Sequence, residues 1–378
     1  MIVVVLDSNA VHRDLWLMSG AGPALLTLAS AGHCEVVYPV VVLQELRRQQ
    51  REELLVTRGE ADAVVDRAAR LGASMHLPAS QLREAFDRLA EQIDANFDDL
   101  LSRPGVALAP VPGIALERLV ARDLERRRPF HAVGTDHASA GFRDAVIWES
   151  LLSRAAASRA EDTVIFVTAD TGFLAEDGKG FHPDLVEDVL RLPGEHATVQ
   201  LAKNVWAAKQ QVDALVAATE QAEREAALAT AATNALLSLV GESVSLQMVY
   251  GGDYDYPEFV QFSAPGLEDA TISDIEQQSE FELVTSGDLV IATAEATVYF
   301  EGFVAKSDWF MDEGSGVELL EDWNDHYFHA QDEAAVRVMI KLSVEEGVTE
   351  VTDIKLLDPL EQYQQEKSSG AGDSLGSS

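Results

Sequence analysis

The sequence has a single cysteine, Cys34, among 378 residues. That excludes an intramolecular disulfide and a cysteine-based zinc cluster, and it fits a reducing compartment. Long apolar runs are also missing. The stretch from Met1 to Leu6 is too short for a membrane span or a signal-peptide core, and no basic region precedes it. No later run approaches the length of a span, so the expectation is a soluble, cytoplasmic protein with no membrane partner. Basic residues are scarce too: 28 Lys+Arg stand against 64 Asp+Glu, for a formal net charge of -36. The shortage is uneven. Residues 1–209 hold 22 Lys+Arg and 30 Asp+Glu, whereas residues 210–378 hold 6 and 34. The second half therefore repels polyanions, and any phosphate-binding surface is expected in the first half.

What is present suffices for two domains, each with its own core. Ile2-Val3-Val4-Val5-Leu6 is continuous, apolar and β-branched, the pattern of a central parallel strand buried on both faces. Thr163 to Thr168 repeats it. Ligands of such sheets gather beyond the carboxyl ends of the strands, and there stand Asp7 after the first run and Asp170 after the second. The plain alternative for Asp7 is a cap on a helix from Ala10 to Met18. A further strand, Cys34 to Pro39, leads into a helix from Val40 to Arg51 that carries Glu45, which by itself reads as a surface glutamate. Gly141 precedes a helix whose residues Ala145, Trp148, Leu151 and Leu152 form one inward stripe. Asp144 lies in its first turn, where the helix dipole favours an anion.

The remaining segments are read more coarsely. Residues 52–103 have the periodicity of an inserted helical hairpin, with breaks expected at Gly59, Gly72 and Pro78. Val106 to Ile114 is expected to be an extended connector. Leu116 to Arg128 reads as a helix with Arg118, Arg122 and Arg126 four apart, followed by Arg127 and Arg128. A solvated face is the ordinary meaning of such a run; as the densest basic cluster in an acidic chain, it is also the best candidate for phosphate contact. The polar loop from Pro129 to Ala140 holds His131, Asp136 and His137, at a spacing that matches no zinc signature. A short helix (Leu185 to Leu190), a short strand (Thr198 to Leu201) and a long alanine-rich helix (Asn204 to Leu239) follow. From Gly241 to Leu357 the residues alternate as half-buried antiparallel strands do, at 243–250, 258–263, 280–284, 288–305, 335–344 and 349–357. Trp309, Trp323, Tyr327 and Phe328 lie among acidic loops there and suit either core packing or a binding surface.

Asp7, Glu45, Asp144 and Asp170 thus come from four separated places. If the strands are neighbours, their side chains meet at one point and repel one another, which a divalent cation relieves. Oxygen ligands of this kind select Mg²⁺ or Mn²⁺. The segments Val5-Leu6-Asp7-Ser8-Asn9, Pro39 to Leu46, Gly141-Phe142-Arg143-Asp144-Ala145 and Val167-Thr168-Ala169-Asp170-Thr171-Gly172-Phe173 resemble, in order and placement, those of the PIN nuclease domain. Arg128-Pro129-Phe130 ahead of Gly141 to Glu149 is similar to a bacterial PIN-like group with an enlarged helical insertion.

The resemblance covers about residues 1–205. It implies an α/β fold: a PIN-like parallel sheet flanked by helices, with the insertion at about 52–103. A connecting helix (206–239), an acidic β-rich α+β domain (240–360) and a disordered tail (361–378) complete the expected organisation. The resemblance further implies a Mg²⁺- or Mn²⁺-dependent endoribonuclease, a toxin or defence effector among the settings. Asp7, Glu45, Asp144 and Asp170 would be its catalytic metal ligands. Ser8, Asn9 and Thr168 would orient those ligands or water. Arg143, with Arg122, Arg126, Arg127 and Arg128, would contact substrate phosphate. Ser8 stands where the family commonly has Thr and keeps the hydroxyl. Homodimers are expected by analogy with relatives, and the acidic domain is expected to recruit a protein partner or restrain the cleft. The competing reading is a catalytically silent PIN-like scaffold that binds proteins. A phosphatase would want a second acid two residues after Asp7, where Asn9 stands, and a receiver-type site would need a lysine better placed than Lys179.

Overall fold

The computed structural model describes residues 1–71, 79–133, 138–243, 267–311, 317–345 and 348–357. The breaks expected at Gly72 and Pro78, Asp136 and His137, most of the strand expected at 243–250, the one at 258–263 and the tail lie outside them. Two compact units are present, Met1–Ala218 and Thr219–Ser378.

The first unit is built on β1 (Ile2–Leu6), flanked by β2 (Cys34–Pro39) and β6 (Thr163–Val167). With β3 (Val106–Ala109) beyond β2 and β7 (Thr198–Ala202) beyond β6, the sheet order is β3-β2-β1-β6-β7, and every pair is parallel. Val3, Val4 and Leu6 are wholly buried because helices cover both sheet faces. The chain adds β2 on one side of β1 and later β6 on the other. That reversal opens a crevice beyond the carboxyl ends of β1 and β6, the usual ligand position in such sheets. Behind it, Trp148 packs with Phe166, Phe173 and Phe181 at centroid distances of 6.2, 6.3 and 5.4 Å.

The helices are α1 (Ser8–Val11), α2 (Gly22–Ser30), α3 (Val40–Arg70), α4 (Ala79–Ser102), α5 (Leu116–Leu124), α6 (Phe142–Ala156), α7 (Pro183–Leu190) and α8 (Val205–Leu237), the last running across the division between units. Several expectations need correction. The helix expected from Ala10 to Met18 is only the turn α1, because the Asp14 carboxylate takes the backbone N–H groups of Met18 and Ser19, both at 2.8 Å. Gly59 does not break α3. An exposed helical glycine costs only about 1 kcal/mol, and pairs to α4 (Arg47 to Asp98, Arg51 to Asp94, Arg58 to Asp87) brace the helix up to the residue before it. Part of the expected connector is the edge strand β3. Its prolines begin only after the last paired residue, Ala109, so they remove no ladder hydrogen bond. The helix expected to reach Arg128 stops at Leu124, and Arg126 adopts φ +55°. The polar loop after it contains the pair β4 (His131–Val133) and β5 (Ala138–Ala140).

The second unit carries a six-stranded antiparallel sheet of β8 (Glu268–Gln277), β9 (Glu282–Ser286), β10 (Leu289–Ala305), β11 (Glu318–Asp322), β12 (Tyr327–Glu345) and β13 (Val348–Leu357), with α9 (Lys306–Met311) after β10. The long β10–β12 pairing runs from Leu289↔Ser343 to Ala305↔Tyr327. Alternate residues, among them Val290, Val298, Phe300, Val338 and Ile340, bury one sheet face with Leu228, Ala232 and Leu236 of α8. β8 and β11 were absent from the expected strands because acids crowd their apolar positions. Among the described residues no helix is long and apolar enough to cross a membrane.

Candidate functional site

Asp7 continues the β1 ladder by one residue, its backbone N–H donating to Val167 O at 3.0 Å. It is still inside the core wall, at 2% exposure. One carboxylate oxygen accepts the Ser8 backbone N–H at 2.7 Å and so caps α1; the other accepts the Thr168 hydroxyl at 2.6 Å. The Thr168 oxygen in turn accepts the Asp170 backbone N–H at 3.0 Å, and Asn9 Oδ1 accepts that of Ala169 at 3.1 Å. Ser8, Asn9 and Thr168 therefore tie the turn after β1 to the turn after β6. Burial pushes the Asp7 carboxyl up to about 7, and the charges of Asp144 and Asp170 add to the effect; the Thr168 and Ser8 hydrogen bonds oppose it.

Asp144 sits in the first turn of α6. Gly141, just before it, has φ +107°, and a Cβ there would lie 2.5 Å from Pro129 O. Glycine thus lets the start of α6 press against the Pro129–Phe130 backbone. Burial raises the Asp144 carboxyl above its ordinary range, as do Asp170 and Glu45, while Arg143 and His131 lower it. Asp170 accepts the Gly172 backbone N–H at 2.7 Å. Glu45, near the start of α3, forms an ion pair with Arg143, and Gln49 Nε2 lies 3.4 Å from the same oxygen.

The four acids thus share one end of the sheet, where Asp144 and Asp170 act on Asp7, and Asp170 and Glu45 act on Asp144. Among the described residues, however, no three His, Cys, Asp or Glu side chains converge closely enough to hold an ion. Arg143 takes up Glu45 in an ion pair. The donor set fits a hard divalent cation: all four are carboxylates, and Asp7 is buried near two others with no cationic partner among the described residues.

Beside Asp144 a cleft of about 410 Å³ is lined by Phe130, His131, Ser139, Phe142 and Arg143. Phe142, which is 57% exposed at its rim, and Gln49 carry no motif of their own in the sequence. Both sit one turn or less from a singled-out acid, the only signal they offered.

The basic run keeps an exposed face at Arg118 and Arg126 and departs from it at Arg122. Arg122 is only 7% exposed; it pairs with Asp188 at 2.6 Å, and its Nε donates to Arg128 O at 2.8 Å. Asp188 also accepts Trp148 Nε1–H at 2.9 Å. Arg127 reaches Glu187 at 2.8 Å, Arg126 meets Asp123 at 3.2 Å, and Arg128 gives its backbone N–H to Asp184 at 2.9 Å. Acids of α7 thus engage most of the run, and Arg122 fastens α5 to the core. Arg143, 56% exposed, remains at the site.

Residues 4–173 match the model of one protein family, the PIN domain. The match begins within β1, ends just beyond Asp170 and includes all four acids. The family is of nuclease type, and its members typically work with divalent metals. The comparison with curated proteins gave no match, and the comparison with solved structures gave none.

Proposed function

We propose that the PIN-like domain is an endoribonuclease that hydrolyses phosphodiester bonds in RNA, with Asp7, Glu45, Asp144 and Asp170 holding Mg²⁺ or Mn²⁺. The observation that carries this reading is buried Asp7, held near 7 and fixed through both oxygens at the switch point of the sheet, with Asp144 and Asp170 acting on it and Glu45 acting on Asp144. A divalent cation bound by these oxygens would supply Lewis acidity toward the phosphodiester. The chain's own groups do the rest. Thr168 and Ser8 fix the Asp7 carboxylate through both oxygens, and Gly172 fixes one oxygen of Asp170. Arg143 offers a guanidinium to a substrate phosphate once Glu45 is otherwise engaged. Phe142, exposed at the rim, presents a ring on which an unpaired base can stack. Arg126, Arg127 and Arg128 would act at the margin, and Arg122 through the position of α5.

One observation favours the second reading, a silent protein-binding scaffold: the Glu45–Arg143 pair already satisfies one acid without a metal. The two separate in one assay. Mixed RNA and DNA oligonucleotides are incubated with Mg²⁺ or Mn²⁺ and wild type, Asp7→Asn or Asp144→Asn. The nuclease reading expects RNA cleavage by wild type that falls on the order of 100-fold or more in each variant. Cleavage that survives both substitutions, or none by wild type with either ion, would reject it.

A further inference from the structure

One face of the second unit's sheet is buried against α8; the other carries rings and carboxylates at its far end. Phe303 of β10, His329 of β12 and Glu321 of β11 stand directly across from one another in one row, and Glu301, Gln331 and Glu318 fill the next row on the same face. Phe303, Trp323 and His329 pack as a group, with centroids 5.3 Å (Phe303–Trp323), 5.6 Å (Phe303–His329) and 6.4 Å (Trp323–His329) apart. Trp323 opens the group to solvent at 56% exposure, while Phe303 and His329 are half-buried. Glu301 and Glu321 flank the His329 ring, 3.7 Å from Nε2 and 3.9 Å from Nδ1. The cations of β12 and β13 stand toward the other end of the sheet, where Lys341 and Lys355 meet Asp353.

An exposed ring set among half-buried rings and carboxylates suits a cationic side chain. The ring face attracts the charge and the carboxylate completes it. The same unit holds one of its own cations in this way: Lys306 lies 4.8 Å from the centre of the Phe328 ring and pairs with Asp322. We infer that the Phe303–Trp323–His329 face, with Glu301 and Glu321, is a docking surface for an arginine- or lysine-rich segment of a protein partner. Charge selects this occupant. Nucleic acid is repelled by a half-chain with 34 acids and 6 bases, and a second copy of a chain with net charge -36 is repelled as well. An apolar partner would bury Glu301 and Glu321 without counter-charges. The inference is independent of the nuclease reading.

The test uses the full chain and a fluorescent deca-arginine peptide, read by anisotropy. Because any acidic protein attracts such a probe, the comparison among variants decides. Trp323→Ala, which leaves the charge unchanged, and Glu301→Gln/Glu321→Gln are each expected to weaken binding about 10-fold or more. The matched controls Trp206→Ala and Glu220→Gln/Glu223→Gln, on exposed positions of α8, are expected to change it less than about 2-fold. Circular dichroism verifies that every variant is folded. Equal losses in surface variants and controls, losses in neither, or a Trp323-dependent preference for an RNA oligonucleotide over the peptide would each overturn the proposal.

Discussion

Asp7 serves two purposes with one carboxylate. It caps α1 through Ser8 and faces Asp144 and Asp170 across the crevice. The helix-cap and site-acid readings of the sequence are thus not exclusive. Burial sets the sign of its contribution to stability. The folded carboxyl titrates near 7 and the unfolded one near 3.8, so between these values the folded protein holds a proton the unfolded chain has released. The stability this gives is complete below the lower value and is lost as pH rises through the upper one. In metal-free protein, Asp7→Asn should therefore stabilise the fold above neutrality by up to about 4 kcal/mol, at about 1.4 kcal/mol per pKa unit, and change little near pH 3.5. Denaturant titrations in EDTA at the two ends of this range check it. A variant less stable than wild type above neutrality would contradict the burial argument. The strand-end acids and Thr168 were legible because an apolar run fixes where a strand ends. The burial of Arg122 was not, since its partner Asp188 lies on a helix distant in sequence.

At the scale of elements, α5 and α7 are fastened by charges that look like a nucleic-acid surface when read along the chain. Arg122→Met removes one side of a buried pair and leaves Asp188 with Trp148 and Arg127. It should cost about 3–5 kcal/mol. Arg143→Ala, at a pair exposed on its arginine side, should cost about 1 kcal/mol yet lower RNA cleavage. Thermal melts and cleavage rates of the two variants, side by side, check the division. An Arg122 variant of native stability would contradict it. Strands with unbroken apolar runs, β1 and β6, were readable because both their faces are buried. β3 was not, because four residues beside prolines gain strand character only from pairing with β2. α3 runs through Gly59 because α4 braces it, and local propensity does not show that support.

For the whole molecule, charge is the property that composition revealed most directly. The family resemblance supplied the nucleic-acid substrate, whereas the net charge of -36 opposes any polyanion. The two together make the salt response distinctive. A basic nucleic-acid-binding protein loses affinity steeply as salt rises. Here screening weakens repulsion, so RNA cleavage should hold steady or rise between roughly 50 and 150 mM salt. A steep fall across that range, seen in initial rates, would mean that an attractive basic surface dominates. The division into two units falls within α8, between Ala218 and Thr219, and each unit has its own core.

In the proposed site Asp7, Glu45, Asp144 and Asp170 close on a divalent cation. Calorimetric titration of the full chain with Mn²⁺ tests it without reference to any substrate. The account predicts a saturable site in wild type whose affinity falls at least about 10-fold in Asp7→Asn and in Asp144→Asn, but not in Asp188→Asn. Equal Mn²⁺ affinity in wild type and both site variants would contradict it.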